Sequence, residues 1–233
     1  MKLDNLELYN YLSEQGIKHL YHANTVTTAC TFLLNGGLLS RGAVESRGLK
    51  QTSQSSDPID VNFNVWNDIF LDSVDLHGLF PRQNYYGPVL FKYSLEILKY
   101  PNLPDVFITK DNPIRWDISM DDEEKYFQSI DELENNYKKG SYEEMITLRN
   151  TFEILPFENY LEEVILDNPA VLVNDISMLK KARKAIDSAV TNSQYDYSDV
   201  QFTIRKCDSS CYCQDNYLHQ VPVPELKKLF TVK

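Results

Sequence analysis

No apolar run in the sequence approaches the roughly 20 residues that a bilayer-spanning helix needs. The opening stretch, MKLDNLELYNYLSEQG, carries acids and amides where a signal peptide would carry an apolar block, so a cytoplasmic protein with no membrane partner is expected. Positive charge is also scarce. Lys and Arg number 23 against 34 Asp and Glu, a net charge of −11. That balance excludes a broad basic face gripping a polyanion, though not a local basic pocket. The chain has no Gly-x-Gly-x-x-Gly, no P-loop and no His-Glu-x-x-His. Ser40, Ser46 and the SQSS tract lack a histidine at a persuasive spacing, which leaves hydrolase chemistry unsupported. There is no internal repeat at a solenoid period. Cysteines number four, Cys30 alone and Cys207, Cys211 and Cys213 together, which in a reducing compartment are thiols or metal ligands rather than a disulfide framework.

What is present is an ordinary globular mixture, 233 residues with 42% hydrophobic and 12% aromatic side chains. No composition break marks a boundary. The expectation is one domain over residues 1–233, with the cysteine-rich segment from about 200 to 233 packed on it. The opening reads as a helix over residues 3–15 ended by Gly16, a strand over 18–23, and a helix capped by Thr25 that Gly36 and Gly37 stop. Between Leu38 and Tyr86 the sequence is polar and without period, like a long functional loop. Strands are expected over 88–95, 105–109, 145–150, 151–156, 161–166 and 200–205. One acidic helix is expected over 121–137, and another from Ile176 to about Val190, capped by Asp175. Strands arrive in groups, so the fold class is α+β with mainly antiparallel pairing.

Four features stand in a suggestive order: a strand carrying Tyr21-His22, a helix closed by GGLLSRG, a polar loop with Trp66, Tyr85 and Tyr86 feeding the strand GPVLFKYS, and Glu144 opening MITLRN. This order resembles the plan of the ADP-ribosyltransferase superfamily, a split antiparallel sheet with flanking helices. The fragment LYHANTVTTACTFLLNGGLLSRGAVESRGL resembles the opening of DarT-like toxins, which modify nucleic acid, and is similar in plan to CmdT-type toxins of phage defence.

The resemblance implies NAD as ADP-ribose donor, with Glu144 the catalytic carboxylate beneath an oxocarbenium-like ribose. It implies dinucleotide contacts from Tyr21, His22, Asn24, Gly37, Leu38, Arg41, Tyr85 and Tyr86. His22 would meet the adenosine ribose, Arg41 (ahead of Arg47) the pyrophosphate, and Tyr85 or Tyr86 the nicotinamide ring. Each has a plainer alternative. Glu144 can be a solvated strand-end charge beside Glu143, His22 a satisfied polar residue, Arg41 a surface charge, and the tyrosines core. The segment from Asp117 to Tyr142 falls where such transferases touch the acceptor, but it is strongly acidic. It reads either as a solvated helix face, or as a segment that docks on a basic partner such as an antitoxin or guards the site.

The cluster CDSSCYCQDNYLH reads as reduced surface cysteines holding no metal. The alternative is a structural zinc closed by Cys207, Cys211, Cys213 and His219. The expected function is transfer of ADP-ribose from NAD to RNA or single-stranded DNA by a toxin or defence effector. Competing expectations are a protein acceptor, NAD glycohydrolysis, and a non-catalytic acidic interaction module.

Overall fold

Asp4 opens the first helix by accepting the backbone N–H groups of Leu6 and Glu7, and α1 (Asn5–Glu14) then buries Leu8, Tyr11 and Leu12. The computed structural model describes residues 3–232. β1 (His19–Asn24) leads into α2 (Val26–Asn35), whose N-cap Thr25 accepts from the Thr28 N–H. Gly36 ends α2 in the left-handed region at φ +72°, where a side chain would also strike the Tyr195 ring.

The stretch that the sequence presents as a long loop holds β2 (Gly37–Leu38), α3 (Arg41–Ser46), α4 (Asp57–Asn62), β3 (Ile69–Leu71) and α5 (Leu76–Leu79). None is longer than 6 residues, too short to display a period. After these come β4 (Val89–Ser94), β5 (Val106–Ile108), α6 (Asp122–Lys125), α7 (Ile130–Asn136), β6 (Ile146–Leu148), β7 (Leu155–Pro156) and β8 (Leu161–Leu166). The chain continues through β9 (Leu172–Val173), β10 (Ile176–Ser177), α8 (Met178–Asn192), β11 (Gln201–Ile204), α9 (Cys213–His219) and α10 (Val223–Phe230).

Two expected helices differ. The acidic one breaks into α6 and α7 because Tyr126 and Phe127, 1% and 3% exposed, are pulled into the interior between them. There the Phe127 N–H donates to the Ile108 carbonyl at 3.0 Å, which extends the edge of β5. Asp175 does not cap α8. It turns the chain at φ +62° so that β10 pairs back on β9, and Ser177 caps the helix by accepting from the Lys180 N–H.

The strands form two main sheets, β1-β4-β8-β11 and β3-β6-β5. All named pairs are antiparallel except β8 with β11. Tyr21 and Asp72 stitch the sheets together by exchanging two backbone hydrogen bonds of 2.9 Å. Within the larger sheet Phe91 stacks on Phe157 at 5.3 Å, and Phe32 from α2 leans on Phe91. Each such buried ring contributes about 1.5–3 kcal/mol of apolar burial. The same core takes in Leu8 from α1 and Leu226, Leu229 and Phe230 from α10. No helix of the described residues is long and apolar enough to cross a membrane.

Candidate active site

Where β1 and β3 part, the structure opens a cavity of about 890 Å³, at the large end of the roughly 300–1,000 Å³ found for small-molecule sites. Its wall runs from the end of β1 across α2, α3 and the segment 51–60, then to the segment 80–86, and is closed by α10.

His22 lies on this wall. Its Nδ1 is 2.9 Å from the Phe70 carbonyl, which can only accept, so Nδ1 carries the proton and Nε2 the lone pair. Burial holds the ring's pKa below the ordinary histidine value despite that bond, with Arg41 adding to the effect, so the ring is neutral. Asn24 is fixed likewise. Its Oδ1 accepts the Thr25 N–H at 2.9 Å, which turns the amide nitrogen toward His22 Nε2 at 3.4 Å. Thr25 itself donates to Thr52 at 2.7 Å, and the Thr52 N–H donates to Thr28, so the start of α2 is tied to the wall segment by two hydrogen bonds.

Arg41 also faces the cavity, but its guanidinium is engaged. Nε and one terminal nitrogen grip the two oxygens of Asp57 at 2.7 Å each, and the plane sits 5.1 Å over the Trp66 ring. Its other terminal nitrogen, Nη1, is buried without a hydrogen-bond partner. Arg47 is elsewhere, donating to the Phe152 carbonyl at 2.8 Å. Tyr85 and Tyr86 form the rim, 66% and 42% exposed, with Arg82 stacked 4.4 Å over Tyr85.

Four of the expected residues are not on the cavity wall. Tyr21 alternates with His22 along β1 and so faces the other side, meeting the site region only through its backbone pairing with Asp72. Gly37 and Leu38 are buried in pairing with Pro156 and Leu155. Glu144 is 7% exposed and turned inward, its Oε2 accepting the Lys138 N–H at 2.5 Å, while its neighbour Met145 faces the cavity. Burial raises the Glu144 pKa, with the Lys138 N–H opposing.

Several residues that the sequence does not flag line the wall, among them Asp60, Asp72, Arg82 and Lys228. Burial pushes the Asp72 carboxyl up to about 7, and the nearby Asp75 carboxylate adds to the shift. Asp60 is pushed up to about 6, also by burial. Asp68, ion-paired to Arg149 at 2.8 Å and accepting the Asn150 N–H, likewise sits at about 6 because burial outweighs both partners. A three-residue strand offers no alternation by which Asp72 could have been placed. Of the acidic segment, Tyr142 reaches the cavity, while α6 and α7 do not.

The cysteines gather as the sequence suggests, but the histidine among them is His77 of α5. His219 is a correction. It lies 65% exposed on α9, 3.7 Å from Asp215, because a helical turn after Cys213 carries its side chain outward.

No protein-family model and no curated protein matches the chain. Solved structures do resemble it. DarT from Thermus sp. 2.9 in complex with ADP-ribosylated ssDNA is similar with a TM-score of 0.50 and 11% identity, over 82% of this chain and 95% of that one. DarT of the same source in complex with NAD+ gives a TM-score of 0.46 and 13% identity, over 82% and 96%. The likeness gives the chain a DarT-like fold, mixed helices and mainly antiparallel sheets.

Proposed function

We propose that the protein is an NAD-dependent ADP-ribosyltransferase that modifies nucleic acid, RNA or single-stranded DNA, and that it acts as a toxin or defence effector restrained by a cognate antitoxin. The observation that carries this reading is the cavity at the split between the sheets. It sets a neutral histidine acceptor, a fixed amide, an arginine and two rim tyrosines around one space on a DarT-like fold. His22 Nε2 accepts from a ribose hydroxyl, Arg41 Nη1 faces the pyrophosphate, and a rim tyrosine stacks on the nicotinamide.

In the reaction the bond from ribose C1′ to the nicotinamide nitrogen breaks and its electron pair leaves with nicotinamide. The acceptor nitrogen or oxygen then bonds C1′ and gives up its proton. A carboxylate beneath the ribose stabilises the positive charge between those events. Glu144 is our choice for it, which requires its side chain to leave the Lys138 N–H and turn to the Met145 side. Asp72, like Asp60 and Asp68, is a carboxylate already on the cavity wall.

The test incubates wild type, Glu144→Gln and Asp72→Asn with labelled NAD and, separately, total RNA, single-stranded DNA and cell lysate protein. We expect label on one nucleic acid, reduced about 10²–10³-fold in Glu144→Gln with NAD binding retained. Loss confined to Asp72→Asn would transfer the role to that residue. Label on protein would overturn the acceptor, an outcome that the net charge of −11 favours. Free ADP-ribose without labelled polymer would identify a glycohydrolase. Absence of nicotinamide release with every acceptor would leave α6 and α7 as the faces of an acidic interaction module.

A further inference from the structure

At the cavity wall, His77 of α5 meets three cysteines from the segment that follows β11. His77 Nε2 lies 3.0 Å from Cys211 Sγ and 3.5 Å from Cys207 Sγ. Cys207 Sγ lies 3.2 Å from Cys213 Sγ, and all four ligand atoms fall within 4.8 Å of one another. Zinc bonds of about 2.3 Å to sulfur and about 2.0 Å to nitrogen place tetrahedral ligand atoms roughly 3.5–3.8 Å apart. The separations of 3.0, 3.2 and 3.5 Å lie at or just under that edge, and none of the others exceeds 4.8 Å.

We propose that His77, Cys207, Cys211 and Cys213 hold a structural zinc ion. Three thiols and an imidazole converging on one point are a soft donor set suited to zinc rather than to calcium or magnesium. Four protein ligands leave no coordination position for water or substrate, so the role is structural. Cys30 is the contrast within the same chain: buried on α2 and free, it takes part in no such cluster. The local chain shape suits a ligand loop as well. The Asp208 side chain accepts from Ser210 and turns the three-residue spacer, and the Cys213 N–H donates to Cys211 Sγ at 3.4 Å. On binding, three Zn–S bonds and one Zn–N bond form, each thiol releases its proton to solvent, and no atom changes oxidation state.

The ion would join segments 130 residues apart in the chain. Beside it Arg205 ties Asp75, two residues before His77, to Asp167 at 2.6 Å each. The Tyr212 N–H donates to the Pro81 carbonyl at 2.7 Å, so the cluster is coupled to the segment bearing Tyr85 and Tyr86.

The test measures metal in the full chain, expressed with ample zinc and purified without chelator, by inductively coupled plasma mass spectrometry. Wild type and His219→Ala should carry stoichiometric zinc, and His77→Ala and Cys211→Ser should lose it. Wild type reloaded with cobalt should show the visible bands of a tetrahedral thiolate site. Zinc-free wild type with cysteines that react freely with a thiol reagent would overturn the proposal, as would a Cys207–Cys213 disulfide in the fresh protein. Loss of metal in His219→Ala but not in His77→Ala would overturn the ligand set. If the ligand variants fail to fold, wild-type metal content and the cobalt spectrum still decide.

Discussion

Gly87 is placed where no side chain fits: φ is +143°, and a Cβ would run into the backbone of Asn24 and Thr25. Gly87→Ala therefore combines backbone strain with displacement of the amide that faces His22. The expected cost is about 1–3 kcal/mol, or a fall in Tm of about 3–10 °C, read by thermal unfolding. An unchanged Tm would mean that the β4 entry and β1 do not approach so closely. At this scale the sequence was informative about residue type and poor about direction. His22, Asn24, Arg41, Tyr85 and Tyr86 reach the cavity from β1, the start of α3 and the rim segment. Tyr21 and Glu144 sit one residue from a cavity-facing neighbour and face away. A one-residue alternation turns on the register between strands, which single residues do not announce.

Among the elements, α2 is the most self-explanatory. Its cap, apolar body and left-handed stop are all local, so its ends agree with the expectation to within a residue. Thr25 does two jobs there, capping the helix and donating to Thr52. Thr25→Ala should cost about 1–2 kcal/mol in urea unfolding, and Thr25→Ser should restore most of it. A loss below a few tenths would mean that water takes over both bonds. The acidic segment shows why other elements were illegible. Its charges fit one long solvated helix, yet burying the Tyr126 and Phe127 rings against β5 outweighs helix continuity, and the chain breaks there. Tertiary burial decides such cases, and the partner surface lies far along the chain.

For the molecule as a whole, the acids around the cavity set the response to pH. Asp60 and Asp68 at about 6 and Asp72 at about 7 bind protons more tightly folded than unfolded, where an aspartate titrates near about 3.9. Their contribution to stability is full below about pH 4 and is lost as pH rises through about 7. Urea midpoints should fall from about pH 5 to about pH 8, and Asp72→Asn should flatten the upper part of that decline. A midpoint rising over this range would show that these carboxyls are ionised in the folded protein. The general architecture, grouped antiparallel strands with flanking helices, was legible because it depends on the count and order of apolar runs. The parallel pairing of β11 with β8 was not, since nothing in VQFTIR states which way its partner runs.

The wall of the cavity is finished by Glu225, Lys228 and Leu229 of α10, which follow the crossover through α8 to β11. Translation proceeds from the N-terminus, so a ribosome has made His22, Arg41 and both rim tyrosines long before it makes that last wall. A truncated or stalled product therefore carries the recognisable residues without an enclosed site. On the proposed reading, the donor pocket is completed only when the last helix of the chain is made.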